Sequence, residues 1–288
     1  MTETADGAAA GEADGATAGT LGIALCQHAP TPLDVAASLA RLEREARAAA
    51  AQGAALLVVP EASLTGYNIA PADARAVAEP ADGAMLARVA AIARECGIAL
   101  LCGYVERTGE TLANCAHLVD RHGETLVRYR KTHLWGELDA SLFVAGEALA
   151  PVVELDGWRV GLLVCYDVEF PETVRRLALE GAELVLVPTA LMHPFTFVAD
   201  HVTRVRAAEN GVFLAYANYC GEENGLRYAG RSVVVAPDGE ELARAGETPV
   251  RLHARLERER LALARDALPY LRDRRAALYG PPRESSRG

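Results

Sequence analysis

Short apolar runs alternate with amphipathic stretches along most of this chain, and that alternation sets the expected fold. LGIALCQ (21–27) reads as a strand, and 34–53 has helical periodicity that stops at glycine. AALLVVP then reads as a buried strand closed by proline, followed by a helix over 83–96. Strands are predicted near 98–105, 112–119 and 124–130, before an irregular stretch over 131–150. Further strands follow near 151–155 and 159–164, then a helix near 171–180 and a strand at 183–187. A helix near 196–210 and a strand at 212–218 lead to two last strands, RSVVVAP and TPVRLHARL, and an Arg-rich tail. Strands alternating with helices predict an α/β sandwich with some antiparallel hairpins in its middle.

An internal echo refines this picture. GAALLVVPE (53–61) and GAELVLVPT (181–189) carry Gly, Ala, Leu, Val and Pro at matching places, each after an amphipathic helix. Two similar helix–strand units suggest two sheets related by a pseudo-twofold axis within one domain.

Composition narrows the class. A length of 288 residues, 51% hydrophobic and 24% charged, suits a globular chain with a sizeable core. No run approaches the ~20 apolar residues of a membrane span. Residues 1–20 are rich in Ala, Gly and acids without a basic or apolar segment, so a disordered leader is expected rather than a signal peptide. The net charge of −10 argues against a nucleic-acid partner. Six dispersed cysteines with no C-x-x-C pair read as reduced thiols, which points to the cytoplasm.

Three positions stand out chemically. Of 29 basic residues, all are arginine except Lys131. A lysine kept alone among arginines suggests a task that needs a compact ammonium able to exchange its proton. Glu61 directly follows an apolar strand and a proline, where a strand end would present it to a ligand and burial would raise its pKa. Cys165 ends an apolar run ahead of Tyr-Asp and a helix-opening Pro171, the setting of a nucleophile elbow. A nearby lysine and a helix N-terminus would both favour its thiolate. Each residue alone also fits a bland role: a surviving surface lysine, a turn acid, a buried cysteine.

Together, PEASLTGY, YRKTHL and GLLVCYDVEFPE resemble, in order, the three motifs of the nitrilase (carbon–nitrogen hydrolase) superfamily, and YLRDRRAALYG resembles its C-terminal segment. The resemblance spans roughly 21–280. It implies a four-layer α-β-β-α sandwich and a Glu-Lys-Cys triad of Glu61, Lys131 and Cys165, with no metal or cofactor. It further implies attack by Cys165, proton transfer through Glu61, and an oxyanion held by Lys131 and the Tyr166 backbone N–H. A second acid that positions substrate is expected in the following loop; spacing leaves Glu137 and Asp139 open, and Glu137 is favoured. Tyr67, Trp135, His193 and Phe195 are candidate pocket residues. The family also implies a homodimer, with a hydrolase domain over 21–258 and a tail over 259–288 that crosses the interface.

Cys-Tyr-Asp at the nucleophile resembles the amidase branch, since true nitrilases typically carry Cys-Trp-Glu. A small amide is therefore the expected substrate, with N-carbamoyl compounds the alternative; for those, Arg175 and Arg176 would bind a substrate carboxylate. Outside the family, Cys165 paired with His133 or His193 would make a different hydrolase. A binding protein lacking catalysis would be expected to have lost one of the three residues.

Overall fold

Tracing β1 shows how the alternation becomes architecture. Leu21, Ile23 and Leu25 point into a core between two sheets, whereas Ala24 and Cys26 face a layer of helices. The computed structural model describes residues 19–279. In order, the chain forms β1 (Thr20–Gln27), α1 (Val35–Ala50), β2 (Leu56–Val58), α2 (Pro71–Val77), α3 (Ala84–Cys96) and β3 (Ala99–Thr108). β4 (Thr111–Val119), β5 (Thr125–Arg130), α4 (Gly136–Ala140), β6 (Val153–Leu155), β7 (Trp158–Leu162), α5 (Pro171–Leu179) and β8 (Leu184–Thr189) follow. The rest is α6 (Thr203–Asn210), β9 (Phe213–Asn218), β10 (Cys220–Glu223), β11 (Leu226–Ala229), β12 (Val233–Val235), β13 (Glu241–Arg244), β14 (Val250–Glu257), α7 (Glu259–Ala267) and α8 (Tyr270–Asp273).

Two six-stranded sheets pack face to face, in the orders β14-β1-β2-β3-β4-β5 and β6-β7-β8-β9-β12-β13. Each has a parallel triplet at its centre, with antiparallel strands outside it. The echoed segments form the middle strands of those triplets, β2 and β8. α1 and α3 cover the first sheet and α5 and α6 cover the second, giving the expected four layers and their internal pseudo-twofold relation. Local signals set the helix ends: Asp34 Oδ1 accepts a hydrogen bond from Ala37 N at 2.9 Å, and Gly97 closes α3 at φ +64. Among the described residues, no helix is long and apolar enough to cross a membrane.

Three features go beyond the sequence expectations. Of the leader expected over 1–20, residues 1–18 lie outside the described residues, while Thr20 already pairs with Glu257 in the sheet. Past the expected boundary at 258 the chain still packs on the sandwich: Leu261 of α7 sits in the inter-sheet core, and Arg265 donates to Gly211 O at 2.9 Å and Ala182 O at 3.0 Å. The β10–β11 hairpin lies outside the predicted strands. Its Asn224-Gly225 turn, with both residues at positive φ, is a strong hairpin signal that follows a polar, unalternating strand.

One glycine explains how the sheet places the Glu61 turn. A Cβ on Gly103 of β3 would lie 2.1 Å from Ala62 N and 2.8 Å from the Glu61 carbonyl carbon. Leu64 N also donates to Gly103 O at 3.0 Å, so backbone meets backbone here with no side chain between. Gly103→Ala should therefore destabilise the fold by about 1–3 kcal/mol and lower turnover as the Glu61 turn shifts. Thermal denaturation and steady-state kinetics would check this; unchanged turnover would mean the turn tolerates displacement.

Candidate active site

The ends of β2 and β8 meet at one point. Glu61 follows β2 and Thr189 ends β8, so the two residues occupy equivalent places in the echo, and Glu61 N donates to Thr189 O at 3.3 Å. Lys131 leaves β5, the last strand of the first sheet, and its backbone N donates to Asn114 O of β4 at 2.9 Å. Cys165 begins a 3₁₀ turn, Cys165–Glu169, just past β7, at φ +46. A left-handed conformation at a non-glycine residue on a strand-to-helix turn is the strained geometry of a nucleophile elbow.

These turns bring Glu61, Lys131 and Cys165 together. Lys131 Nζ donates to Glu61 Oε1 at 2.8 Å and to Asp139 Oδ2 at 2.6 Å, and all three side chains are fully buried. Asn114 Nδ2 donates to the same Glu61 oxygen at 2.7 Å. Glu61 Oε2 is left without a hydrogen bond of normal geometry, and the Cys165 thiol lies beside this carboxylate. Thr189 and the Ala190 backbone also neighbour the thiol. Tyr67 packs against the ammonium, its ring centroid 5.7 Å from Nζ.

The electrostatics follow from burial. Burial pushes the Glu61 carboxyl up, opposed by the Lys131 charge and reinforced by that of Asp139. Burial also works against the Lys131 ammonium, but Glu61, Cys165 and Asp139 outweigh it and the lysine stays protonated. Burial and the charge of Glu61 hold the Cys165 thiol well above its ordinary value, with Lys131, Thr189 and Ala190 pulling the other way. The pull of Lys131 toward thiolate, expected from the sequence, is outweighed by burial and Glu61, and the balance favours a protonated thiol next to a carboxylate able to take its proton as attack begins.

The loop after Lys131 also separates the two acids that the sequence left open. Glu137 is exposed, whereas Asp139 is buried, grips Lys131 and accepts from Trp135 N at 2.9 Å. Both residues lie in the single turn of α4. At 100° per residue they point to opposite sides, and only Asp139 faces inward. Tyr166 follows the nucleophile in the 3₁₀ turn, partly buried, with its ring edge-on to Phe170 at 5.0 Å. Trp135 and Phe195 meet edge-on at 5.9 Å, and Tyr67 and Trp135 belong to an apolar cluster with Ala62, Ala190 and Met192.

Other expected roles fall away from the site. His133 Nδ1 lies 2.8 Å from Asp167 Oδ1 and His193 Nε2 lies 3.5 Å from Glu247, so each histidine is paired to an acid rather than to Cys165. Arg176 pairs with Glu180 at 2.5 Å on the surface, and Arg175 lines an outer groove. Several site residues escaped the sequence reading. Asn114 is a polar interruption in an apolar strand, and Thr189 shares the echo position of Glu61; both signals were available. Asp167 accepts from Val164 N, Tyr129 Oη and Thr132 Oγ1, joining the nucleophile turn to the lysine loop. Glu223 accepts from Tyr67 N at 3.2 Å and Asn68 N at 2.8 Å, tying the β10–β11 hairpin to the loop beyond Glu61. Only the fold reveals that pairing.

A buried thiol with a carboxylate to take its proton and a fixed ammonium alongside is the equipment of a cysteine hydrolase that forms an acyl-enzyme. Residues 22–266 match the carbon–nitrogen hydrolase family. The chain belongs to that family, and it is an enzyme of the amidase type. It is 51% identical over 261 residues to the hydrolase in pqqF 5'region of Pseudomonas protegens, covering 90% of this chain and 91% of the relative. It is 38% identical to an (R)-stereoselective amidase of Pseudomonas sp, covering 92% and 96%. Its fold matches the solved structure of a cysteine-to-alanine mutant of the Nesterenkonia AN1 amidase from the nitrilase superfamily, with a TM-score of 0.81 and 41% identity, covering 91% and 97%. A variant of that amidase carries the acetamide moiety of fluoroacetamide on its active-site cysteine.

Substitution can separate the two acids. Asp139→Asn should reduce turnover on the order of a hundredfold, because it loosens the hold on Lys131 by a fraction of its geometry. Glu137→Gln should change stability by less than about 0.5 kcal/mol, as exposed substitutions do, and leave turnover near wild type. The reverse ranking in steady-state kinetics would return the role to Glu137.

Proposed function

We propose that this enzyme hydrolyses the carboxamide bond of a small linear amide through a thioester on Cys165. The observation that carries the reading is the fully buried Lys131 ammonium held between Glu61 and Asp139 beside that thiol. Glu61 takes the thiol proton as sulfur attacks the carbonyl carbon, and the oxyanion forms against Lys131 and the Tyr166 amide. The carbon–nitrogen bond then breaks, and the proton passes from Glu61 to the departing nitrogen, releasing ammonia or an amine. Water attacks the thioester, Glu61 accepts its proton, and the carboxylic acid leaves as the thiol is restored. Asp139 positions Lys131 throughout.

Amides are favoured over N-carbamoyl amino acids because the two arginines expected to bind a carboxylate are engaged elsewhere, Arg176 with Glu180 and Arg175 in the groove beside Leu268 and Tyr270. The six cysteines are all free, which supports a reducing compartment such as the cytoplasm.

Assembly belongs to the same reading. α5, α6 and the C-terminal segment border a groove of about 760 Å³ lined by Pro171, Arg175, Val205, Leu268, Tyr270 and Tyr279. Val205 is 51% exposed and Tyr279 60%, a large apolar fraction for a free surface. We assign this face to a second copy of the chain, because a twofold contact covers a self-complementary patch. The nucleophile turn runs directly into α5, so such a contact would brace Cys165.

Intact mass after quenching turnover of an amide should show an acyl increment on Cys165, lost together with activity in Cys165→Ala. Full activity of that variant would remove the assignment. Light scattering should return a dimer, and a fully active monomer at assay concentration would refute both the assembly and its support of the site.

A further inference from the structure

Glu169 closes the 3₁₀ turn that Cys165 opens, and its carboxylate is anomalous in this protein. Among the described residues, every other acidic side chain that is at least partly buried has a hydrogen bond or an ion pair. Glu43, Glu45, Glu106, Asp156, Glu183 and Asp200 each pair with arginine. The Glu169 side chain is partly buried and has no such partner. Arg206, the arginine at hand, is committed elsewhere: Nε donates to Val168 O at 3.0 Å, Nη2 to Glu169 O at 2.6 Å, and Nη1 to Glu209 Oε1 at 3.0 Å. It therefore clamps the backbone of Glu169 and leaves the carboxylate open.

The surroundings of that carboxylate are marked by the charges it shares a field with. The Lys131 charge acts on Glu169, and the charge of Glu169 acts on the phenol of Tyr216. Lys131 and Tyr216 are fully buried around Cys165, and Tyr216 Oη accepts from Thr189 Oγ1 at 3.0 Å. Glu169 is thus partly buried within electrostatic reach of the groups around Cys165, whereas Glu172 and Arg176 on α5 are exposed. Burial pushes its carboxyl up, opposed by Lys131 and Arg206. Phe170 fixes the turn, stacked on His133 at 4.0 Å and edge-on to Tyr166 at 5.0 Å.

Resting on the amidase reading above, we infer that Glu169 is a specificity-determining residue that receives a protonated amine on the acyl portion of the substrate carboxamide. A half-buried carboxylate without a counter-ion gains a charge-assisted hydrogen bond only from a cation that arrives with the ligand. An uncharged acyl chain of the same shape leaves that carboxylate unpaired, which is the basis for discrimination. The same carboxylate repels a substrate that carries an acid, in agreement with the arginines engaged elsewhere.

Isosteric pairs test this directly. Ammonia release would be followed with 3-aminopropanamide against butyramide and with 4-aminobutanamide against pentanamide, at a pH where the amines are protonated. Wild type should prefer at least one amino amide over its isostere in kcat/KM by about tenfold or more. Glu169→Gln should collapse that ratio toward one, and Glu169→Asp should restore part of it. Wild-type ratios near one for both pairs, or a ratio unchanged in Glu169→Gln, overturn the proposal. A cation supplied by a second copy of the chain is the competing explanation. It predicts that Glu169→Gln weakens the dimer on size exclusion and scales both amides of each pair equally, which also overturns the proposal. Turnover of butyramide with acylation of Cys165 would leave the amidase reading standing in those cases; wild type that hydrolyses none of the four amides removes both.

Discussion

A single ammonium held between two buried carboxylates is the constraint on which the rest of this site depends. Lys131, Glu61 and Asp139 have fully buried side chains, and removing any one would strand charge in a low-dielectric interior at a cost of about 3–5 kcal/mol. Such a cluster survives only if its geometry is held from all sides. Asn114 supports it twice, with a backbone carbonyl for Lys131 N and a side-chain amide for Glu61. The Trp135 amide fixes Asp139. The strands ending at this point are therefore committed to one arrangement, and that rigidity keeps a carboxylate with an elevated pKa beside a protonated thiol.

The pseudo-twofold relation explains why the site lies where it does. Two parallel triplets packed face to face bring equivalent strand ends, β2 and β8, to the same place, and ligand sites in parallel sheets form off such ends. The repeated halves have diverged in their chemistry. One contributes Glu61, and the other contributes Thr189 at the matching position, which carries the Glu61 amide and flanks the thiol. Cys165 leaves β7 next to β8, so the second sheet supplies the thiol and the first supplies the carboxylate and the ammonium. Sliding one sheet over the other by a single residue would separate them.

Around this centre lie two shells of different purpose. Asp167 and Glu223, both buried, lock loops to one another: the first joins the nucleophile turn to the lysine loop, the second joins a hairpin to the segment carrying Tyr67. Glu169 has no such locking task, and Tyr67, Trp135 and Met192 form an apolar cluster with Ala62 and Ala190 beside the ion cluster.

Much was legible in the chain alone, because some signals are local. Period-two and period-3.6 patterns gave most strands and helices, since burial on one face is written into each segment independently of its partners. The lone lysine among arginines, the acid after a strand and the thiol before a helix each mark chemistry, and the echo of 53–61 in 181–189 anticipated two related sheets. What depends on direction could not be read. Glu137 and Asp139 stand two residues apart, and only the short helix α4 decides which one turns inward. Whether Cys165 rests as thiol or thiolate depends on opposing contributions from burial, Glu61 and Lys131, whose sum requires their places in space. The partner of Glu223 lies far away in sequence, and the isolation of Glu169 is a fact about where every arginine points. The sequence by itself determined most of the elements, the fold class and the three chemical groups. Tertiary structure alone decided which neighbours those groups have, because side-chain direction and desolvation are set by the packing of distant segments.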